Sequence, residues 1–155
     1  MRLLAGREHS VEELRRKLVR KGYPPDTIEP VIQKLAGKRL VSDERFTSNF
    51  IHYHAKRGQG PVRIRAALRQ QGVADSQVTE ALRCAEVDWV QRAQEVRRRK
   101  FGAAAPRSLG ERAKQARFLQ YRGFDAEQLR AALRDESGEG DGAPDITPDI
   151  GFEAE

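Results

Sequence analysis

Residues 60–73 read Gly-Pro-Val-Arg-Ile-Arg-Ala-Ala-Leu-Arg-Gln-Gln-Gly-Val, a short basic segment enclosed by two glycines. Pro61 suits the first turn of a helix, and Gly72 suits a left-handed helix stop. Ile64 and Leu68 stand four residues apart and therefore share one helical face. The segment predicts a short helix that buries this face and carries arginines on the others.

The closing glycine of this segment recurs on both sides of it. Gly22, Gly72 and Gly123 each follow a polar residue and precede a large apolar or aromatic one, at separations of 50 and 51 residues. Aliphatic residues four before, six after and ten after each glycine keep the same register: Leu18, Leu68, Leu119; Ile28, Val78, Leu129; Ile32, Leu82, Leu133. A constant period of this length predicts one supersecondary unit used three times, each stabilised by its neighbours.

Start and stop signals divide the chain into helices, and no segment has the alternation of a strand. Ser10, Ser42 and Ser108 are candidate N-caps, and either Asp75 or Ser76 is expected to cap the helix after Gly72. Residues 76–101 contain no Gly or Pro. The sequence alone therefore permits one long helix there, but the repeat favours a break near residues 86–88.

These signals predict an all-α, elongated tandem array of three-helix repeats with a period of about 50 residues and an incomplete last repeat. The expected ranges are an N-terminal cap segment 1–9, repeats 10–58 and 59–102, a two-helix repeat 103–134, and a tail 135–155. The tail holds eight acids and no base. It has too little apolar content to fold, so we expect it to be disordered.

The charge is strongly asymmetric along the chain. The formal net charge is +6, yet residues 1–134 hold 29 bases against 15 acids, a net charge of +14. Such a body favours a polyanion or an acidic protein surface as partner, although scattered surface arginines can also serve solubility alone. We expect the acidic tail to compete electrostatically with this partner.

Signals for catalysis, metals and membranes are missing from the sequence. No glycine-rich phosphate loop is present, and the three histidines have no spacing that suits a metal site. No apolar run is long enough for a membrane helix. The single Cys84 falls in a helical pattern and is expected at the core or its edge, in a reducing compartment. We therefore expect a cytoplasmic, monomeric protein that is not an enzyme and needs no cofactor.

Arginines remain as the candidate contact residues, because guanidinium groups pair with both carboxylates and phosphates. Arg65 and Arg69 share a face of the helix in residues 60–73, and Arg63 flanks them. Arg15 lies at the position equivalent to Arg65, seven residues before its glycine. A second candidate group is a run that could equally be a solvated helix end: Arg97, Arg98, Arg99 and Lys100.

Several motifs taken together resemble the bacterial RecX regulators of the RecA recombinase. They are Leu-Ala-Gly-Arg-Glu-His-Ser at 4–10, Asp-Glu-Arg-Phe at 43–46, Gly-Gln-Gly-Pro at 58–61, Phe-Leu at 118–119 and Arg-Gly-Phe at 122–124. Each fragment alone is weak, but their combination and order are specific. The resemblance extends from about residue 3 to residue 133.

The resemblance implies a non-enzymatic protein that binds in the groove of the RecA–DNA filament. It also implies restraint of strand exchange, ATP hydrolysis and co-protease activity, with weak affinity for single- and double-stranded DNA. The alternatives from the residues themselves are a sequence-nonspecific nucleic-acid-binding module and an inert helical scaffold. Binding to bare DNA with a steep salt dependence would favour the module.

Overall fold

The computed structural model describes residues 3–134, so the predicted disordered tail lies outside the described residues. Within the described range the chain forms eight helices and no strand, as the sequence predicts. The helices are α1 Val11–Arg20, α2 Pro25–Gly37, α3 Asp43–Lys56, α4 Pro61–Gln70, α5 Asp75–Cys84, α6 Trp89–Phe101, α7 Leu109–Tyr121 and α8 Ala126–Leu133.

Polar side chains at helix starts explain most of these boundaries. An N-cap oxygen accepts a hydrogen bond from a first-turn amide at five helices: Ser10, Ser42, Asp88, Ser108 and Asp125. The expected break between α5 and α6 is confirmed, since Glu86 takes a left-handed conformation with φ of 54°.

Two sequence predictions on α5 are wrong. Ala74, not Asp75 or Ser76, occupies the N-cap position, and Asp75 is the first residue of the helix. Cys84 is exposed rather than at the core. Two residues turn a helix by about 200°. Cys84 therefore faces away from Leu82, which packs against the core.

The helices pack in three groups, which we call the first unit (α1 and α2), the second unit (α3, α4 and α5) and the third unit (α6, α7 and α8). Each unit has its own apolar core. In the second unit Ile51, Ile64, Leu68 and Val78 are fully buried. Leu3 and Leu4, from the predicted cap segment, pack against the core of the first unit.

This grouping differs in phase from the ranges predicted from the glycines. α3 falls in the predicted repeat 10–58, yet its Phe46 and Ile51 pack with Ile64 of α4. Likewise α6 falls in the range 59–102 but packs with α7 and α8. In the described residues the two-helix unit is therefore the first, not the last. The spacing of the glycines gives the length of a repeat. Which helix is the first of each repeat depends on how the side chains pack.

The start of α1 contacts the turn that follows α4, and we call this contact the first joint. The Ser10 hydroxyl donates to the carbonyl oxygen of Gln71 at 2.7 Å. Gly72 has a φ of 79°, and a Cβ there would overlap the side chain of Glu12. Glycine at this position therefore both ends α4 and lets the first unit approach the second.

An equivalent second joint connects the start of α4 to the turn that follows α7. The amides of Gly60 and Val62 donate to the carbonyl oxygens of Arg122 and Gly123, at 2.8 and 3.0 Å. A Cβ on Gly60 would overlap the Gly123 carbonyl, and one on Gly123 would overlap Arg63. The repeated glycine thus marks a joint between units as well as the end of a helix.

Candidate functional site: a basic pocket between the second and third units

The two candidate arginines on one face of α4 are held by a single carboxylate. Asp75 Oδ1 accepts from Arg69 Nη2 at 2.7 Å and lies 3.2 Å from Arg65 Nη1. Arg65 also donates to the Thr79 hydroxyl at 2.8 Å. The hydrogen bond from Arg69, with the charge of Arg65 added, lowers the pKa of Asp75 below its ordinary value. We call these two residues the α4 pair, and within the molecule their charge is partly balanced.

Arg15 and Arg97 also have internal partners. Arg15 bridges Glu12 and Glu29. Arg97 is only 4% exposed, and its Nη1 donates to the carbonyl oxygen of Ala104 at 3.1 Å. The expectation that the whole run 97–100 is available for contact is therefore wrong at its first residue, because Arg97 ties α6 to the segment before α7.

The exposed residues of the same run lie on different surfaces. Arg98 is exposed but does not line the pocket described next. Arg99 and Lys100 do line it. Arg63, at the start of α4, is exposed and places its guanidinium carbon 5.5 Å from the ring centroid of Tyr121.

A pocket of about 140 Å³ opens where the end of α3 meets the ends of α6 and α7. We call it the basic pocket, and its lining residues are Arg57, Gly58, Val96, Arg99, Lys100, Phe118 and Arg122. Four of the seven are cations and none is an acid. In residues 3–134 none of the four cations forms a salt bridge.

Helix ends and aromatic rings position these cations. Arg57 and Arg122 are the C-cap residues of α3 and α7, where helix dipoles favour positive charge. Lys100 Nζ and the Arg122 guanidinium carbon lie 5.9 and 5.5 Å from the ring centroid of Phe118. Arg57 donates to the Tyr53 hydroxyl at 2.7 Å. Arg57, Lys100 and Arg122 therefore lie against aromatic rings or helix C-termini rather than against carboxylates of residues 3–134.

A histidine with a lowered pKa lies near the pocket residue Arg57. His54 lies one turn before Gly58 on α3 and stacks on Phe50, with ring centroids 4.0 Å apart. Burial lowers the pKa of His54 below its ordinary value, and the charges of Arg57 and Arg63 lower it further. The protonated, positively charged form of the ring is thus disfavoured, mainly because the ring is partly buried.

Two exposed tyrosines border this surface. Tyr53 is 57% exposed and Tyr121 is 77% exposed. Each has an arginine on its ring, Arg57 at 5.3 Å and Arg63 at 5.5 Å from the ring centroid. Exposed aromatic rings beside positively charged groups are typical of surfaces that bind single-stranded nucleic acid.

Arg57 and Arg122 are not among the contact residues predicted from the sequence. Both stand directly before a glycine that ends a helix with positive φ. This dipeptide was a usable signal, because it places a cation at a helix C-terminus. The two helix ends meet at one pocket only because the second and third units pack together. The dipeptides carry no information about that packing.

No helix of residues 3–134 has the length and apolar character needed to cross a bilayer. Over the same residues, no cluster of three His, Cys, Asp or Glu side chains could hold a metal ion.

Comparison with protein families gives three matches along the chain. The matching models are the first, second and third three-helix domains of RecX, over residues 1–35, 42–82 and 86–133. The second range covers α3, α4 and all but the last two residues of α5, and the third contains α6–α8, so both follow the packing units. Together the three models match more than half of the chain.

Curated relatives and solved structures agree with this assignment. Regulatory protein RecX of Halorhodospira halophila is 50% identical over 132 residues, covering 85% of this chain and 82% of the relative. The protein of the same name from Pseudomonas entomophila is 45% identical over 133 residues, covering 86% of each. The crystal structure of RecX from Lactobacillus salivarius has the same fold, with a TM-score of 0.73 at 19% identity, covering 85% of this chain and 88% of that one. The chain belongs to the RecX family of regulatory proteins.

Proposed function

We propose that this protein regulates a RecA-type recombinase by docking on the recombinase–DNA filament through the surface that carries the basic pocket. It acts without catalysis, slowing ATP hydrolysis and strand exchange and restraining co-protease activity. The observation that carries the proposal is the match to all three RecX domains along residues 1–133. Docking needs no cofactor, and we expect a monomer in the cytoplasm.

The charge distribution supports docking on an anionic assembly. A filament of recombinase and DNA presents phosphates and acidic side chains, which attract a body with a net charge of +14 over residues 1–134. The basic pocket concentrates four of these charges, and none of the four forms a salt bridge within residues 3–134.

Order of addition in an ATPase assay tests the proposal. The full chain is added to recombinase filaments already assembled on single-stranded DNA, and ATP hydrolysis and co-sedimentation are measured. We expect hydrolysis to slow and the protein to sediment with the filaments. Saturating protein that neither sediments with filaments nor changes their hydrolysis would overturn the proposal.

The second candidate function, a sequence-nonspecific nucleic-acid-binding module, is favoured by the exposed Tyr53 and Tyr121 beside the pocket. A module of this kind slows hydrolysis only when it is added before assembly, because it then sequesters the DNA. A regulator that docks on the filament also slows preformed filaments. The same assay therefore separates the two functions.

A further inference from the structure

The basic pocket has the size and charge of a site for one phosphate group. Its volume of about 140 Å³ is several times the roughly 30 Å³ that one water occupies in the liquid. Arg57, Arg99, Lys100 and Arg122 line it, and no carboxylate lies among its lining residues. A tetrahedral dianion or a phosphodiester can therefore enter and meet cations from α3, α6 and α7 at once.

The cations that line the pocket lie close enough to repel one another. Like charges around one cavity repel, and the carbonyl ends of α3 and α7 and the Phe118 ring offset only part of this. The second joint fixes the arrangement, because the Arg122 carbonyl accepts the amide of Gly60 at 2.8 Å. Folding therefore already overcomes the repulsion between these cations. An anion that binds there does not have to bring them together, which increases its binding free energy. Guanidinium groups add two-pronged hydrogen bonds to phosphate oxygens.

The aromatic border decides which anion fits best. A carboxylate of an acidic protein would use the cations and leave the rings without a role. A nucleic-acid strand uses both, since its phosphate meets the cations and its unpaired bases stack on exposed rings. Tyr53 and Tyr121 are mostly exposed, and Arg57 and Arg63 already lie on their rings.

We infer that the basic pocket binds one phosphate of a single-stranded nucleic acid and that Tyr121 and Tyr53 stack on neighbouring bases. Identifying this strand with the DNA carried by a recombinase filament rests on the proposed function. Binding of a bare strand does not, because all the interacting groups belong to this chain. A strand bound here also contacts both the second and the third unit, and so bridges the second joint.

Fluorescence anisotropy with a labelled oligothymidylate of about 15 nucleotides, near the longest site size of common single-strand binders, tests the inference without recombinase. The full chain is compared with R57Q/R122Q in the pocket and with R65Q/R69Q in the α4 pair. Both variants lose two positive charges, so the second is a matched control for net charge. Helix content and melting temperature verify that each variant is folded.

We expect R57Q/R122Q to bind at least about tenfold more weakly, since a charge-assisted hydrogen bond contributes the equivalent of tenfold or more. Its slope of log K against log salt should become shallower by about 0.7, because the pocket holds one phosphate and each lost phosphate contact on a single strand removes about 0.7. Tyr121→Ala should weaken binding about fivefold or more while the salt slope stays unchanged. R65Q/R69Q should change both quantities much less than the pocket variant.

Equal affinity and equal slope for R57Q/R122Q and the wild-type chain would overturn the inference. So would a loss for R65Q/R69Q as large as that for the pocket variant, since it would indicate a net-charge effect. If polyglutamate binds the pocket more tightly than the oligonucleotide and displaces it, the occupant is an acidic protein segment and the inference is overturned. If R57Q/R122Q unfolds, Arg99→Gln replaces it, because that exposed side chain lines the pocket and forms no salt bridge in residues 3–134.

The outcomes for the two proposals remain separable. Oligonucleotide binding at the pocket without any effect on filaments would leave the inference standing and remove the proposed function. Slowed ATP hydrolysis by filaments with no oligonucleotide binding would support the proposed function and overturn the inference.

Discussion

The α4 pair and the basic pocket contain the same kinds of side chain in opposite electrostatic settings. Arg65 and Arg69 converge on Asp75, which lies 3.2 and 2.7 Å from their nitrogens. Arg57 and Arg122 converge on an open cavity with Arg99 and Lys100. One group has its counterion within the same unit, whereas the other is assembled from two units and has none in residues 3–134.

The difference shows that arginines on one helix face can already have a counterion within the molecule. Asp75 is free to bind the α4 pair because Ala74, not Asp75, takes the N-cap position of α5. Because α5 begins at Asp75, the carboxylate of Asp75 does not cap the helix and instead pairs with the arginines of α4. At the pocket the charges come from helix C-termini, where carbonyl ends can hold cations without any acid.

Breaking the second joint should produce the largest effect and should act on the pocket rather than on the α4 pair. A Cβ on Gly60 would overlap the Gly123 carbonyl, so Gly60→Ala must separate the second unit from the third. We expect a loss of about 1–3 kcal/mol, the range for forced overpacking, which is a fall of several degrees in melting temperature. Oligonucleotide affinity should fall with it, because Arg122 would move relative to Arg57.

Gly37→Ala is the matched control for this substitution. Gly37 is the last residue of α2, and a Cβ there meets no neighbour within 4 Å. Thermal unfolding and anisotropy should give values near those of the wild-type chain. If Gly60→Ala melts and binds like Gly37→Ala, the second joint does not support the pocket.

Substitutions at Arg97 and Arg99 should affect different properties, namely stability at Arg97 and oligonucleotide binding at Arg99. Arg97→Ala removes the donor to the Ala104 carbonyl and the packing of a side chain that is 4% exposed. We expect it to cost about 1–3 kcal/mol of unfolding free energy in a urea titration. Arg99→Ala should cost less than about 0.5 kcal/mol, yet weaken oligonucleotide binding. The opposite ranking in the unfolding experiment would show that the two roles are wrongly assigned.

Much of the fold could be predicted because its signals are local. The caps at Ser10 and Ser108, the glycine stops and the interruption near Glu86 each depend on a few adjacent residues. The phase of the repeat could not be predicted in this way. It depends on whether α3 packs forward or backward along the chain, which is a property of the assembled cores.

The candidate site was less predictable for the same reason. Arg63, Arg99 and Lys100 were predicted from clustering, and the structure places them at or beside the pocket. Arg97 has the same local sequence signal, but it is buried. Burial, and the pairing of Arg65 and Arg69 with Asp75, are set by helices brought together in space, so charge runs alone could not distinguish these cases.

Removing the carboxylate of Asp75 should make the α4 pair more like the basic pocket. We expect this change to have a smaller effect than the substitutions at Gly60 and Arg97. Asp75→Asn leaves Arg65 and Arg69 without their shared carboxylate and raises the net charge by one. The carboxylate is exposed and screened by solvent, so we expect oligonucleotide affinity to rise by at most about fivefold. Anisotropy at low salt measures this gain, and the reverse change, a weaker complex, would contradict the assigned role of Asp75.

The most direct test of the central claim is filament ATPase inhibition by three proteins under identical conditions: the wild-type chain, R57Q/R122Q and R65Q/R69Q. Each is added to preformed recombinase filaments at the concentration where the wild-type chain halves the rate of hydrolysis. We predict that R65Q/R69Q still inhibits and that R57Q/R122Q has lost most of its inhibition. Retained inhibition by R57Q/R122Q together with lost inhibition by R65Q/R69Q would contradict the account, because the α4 pair would then be the contact surface.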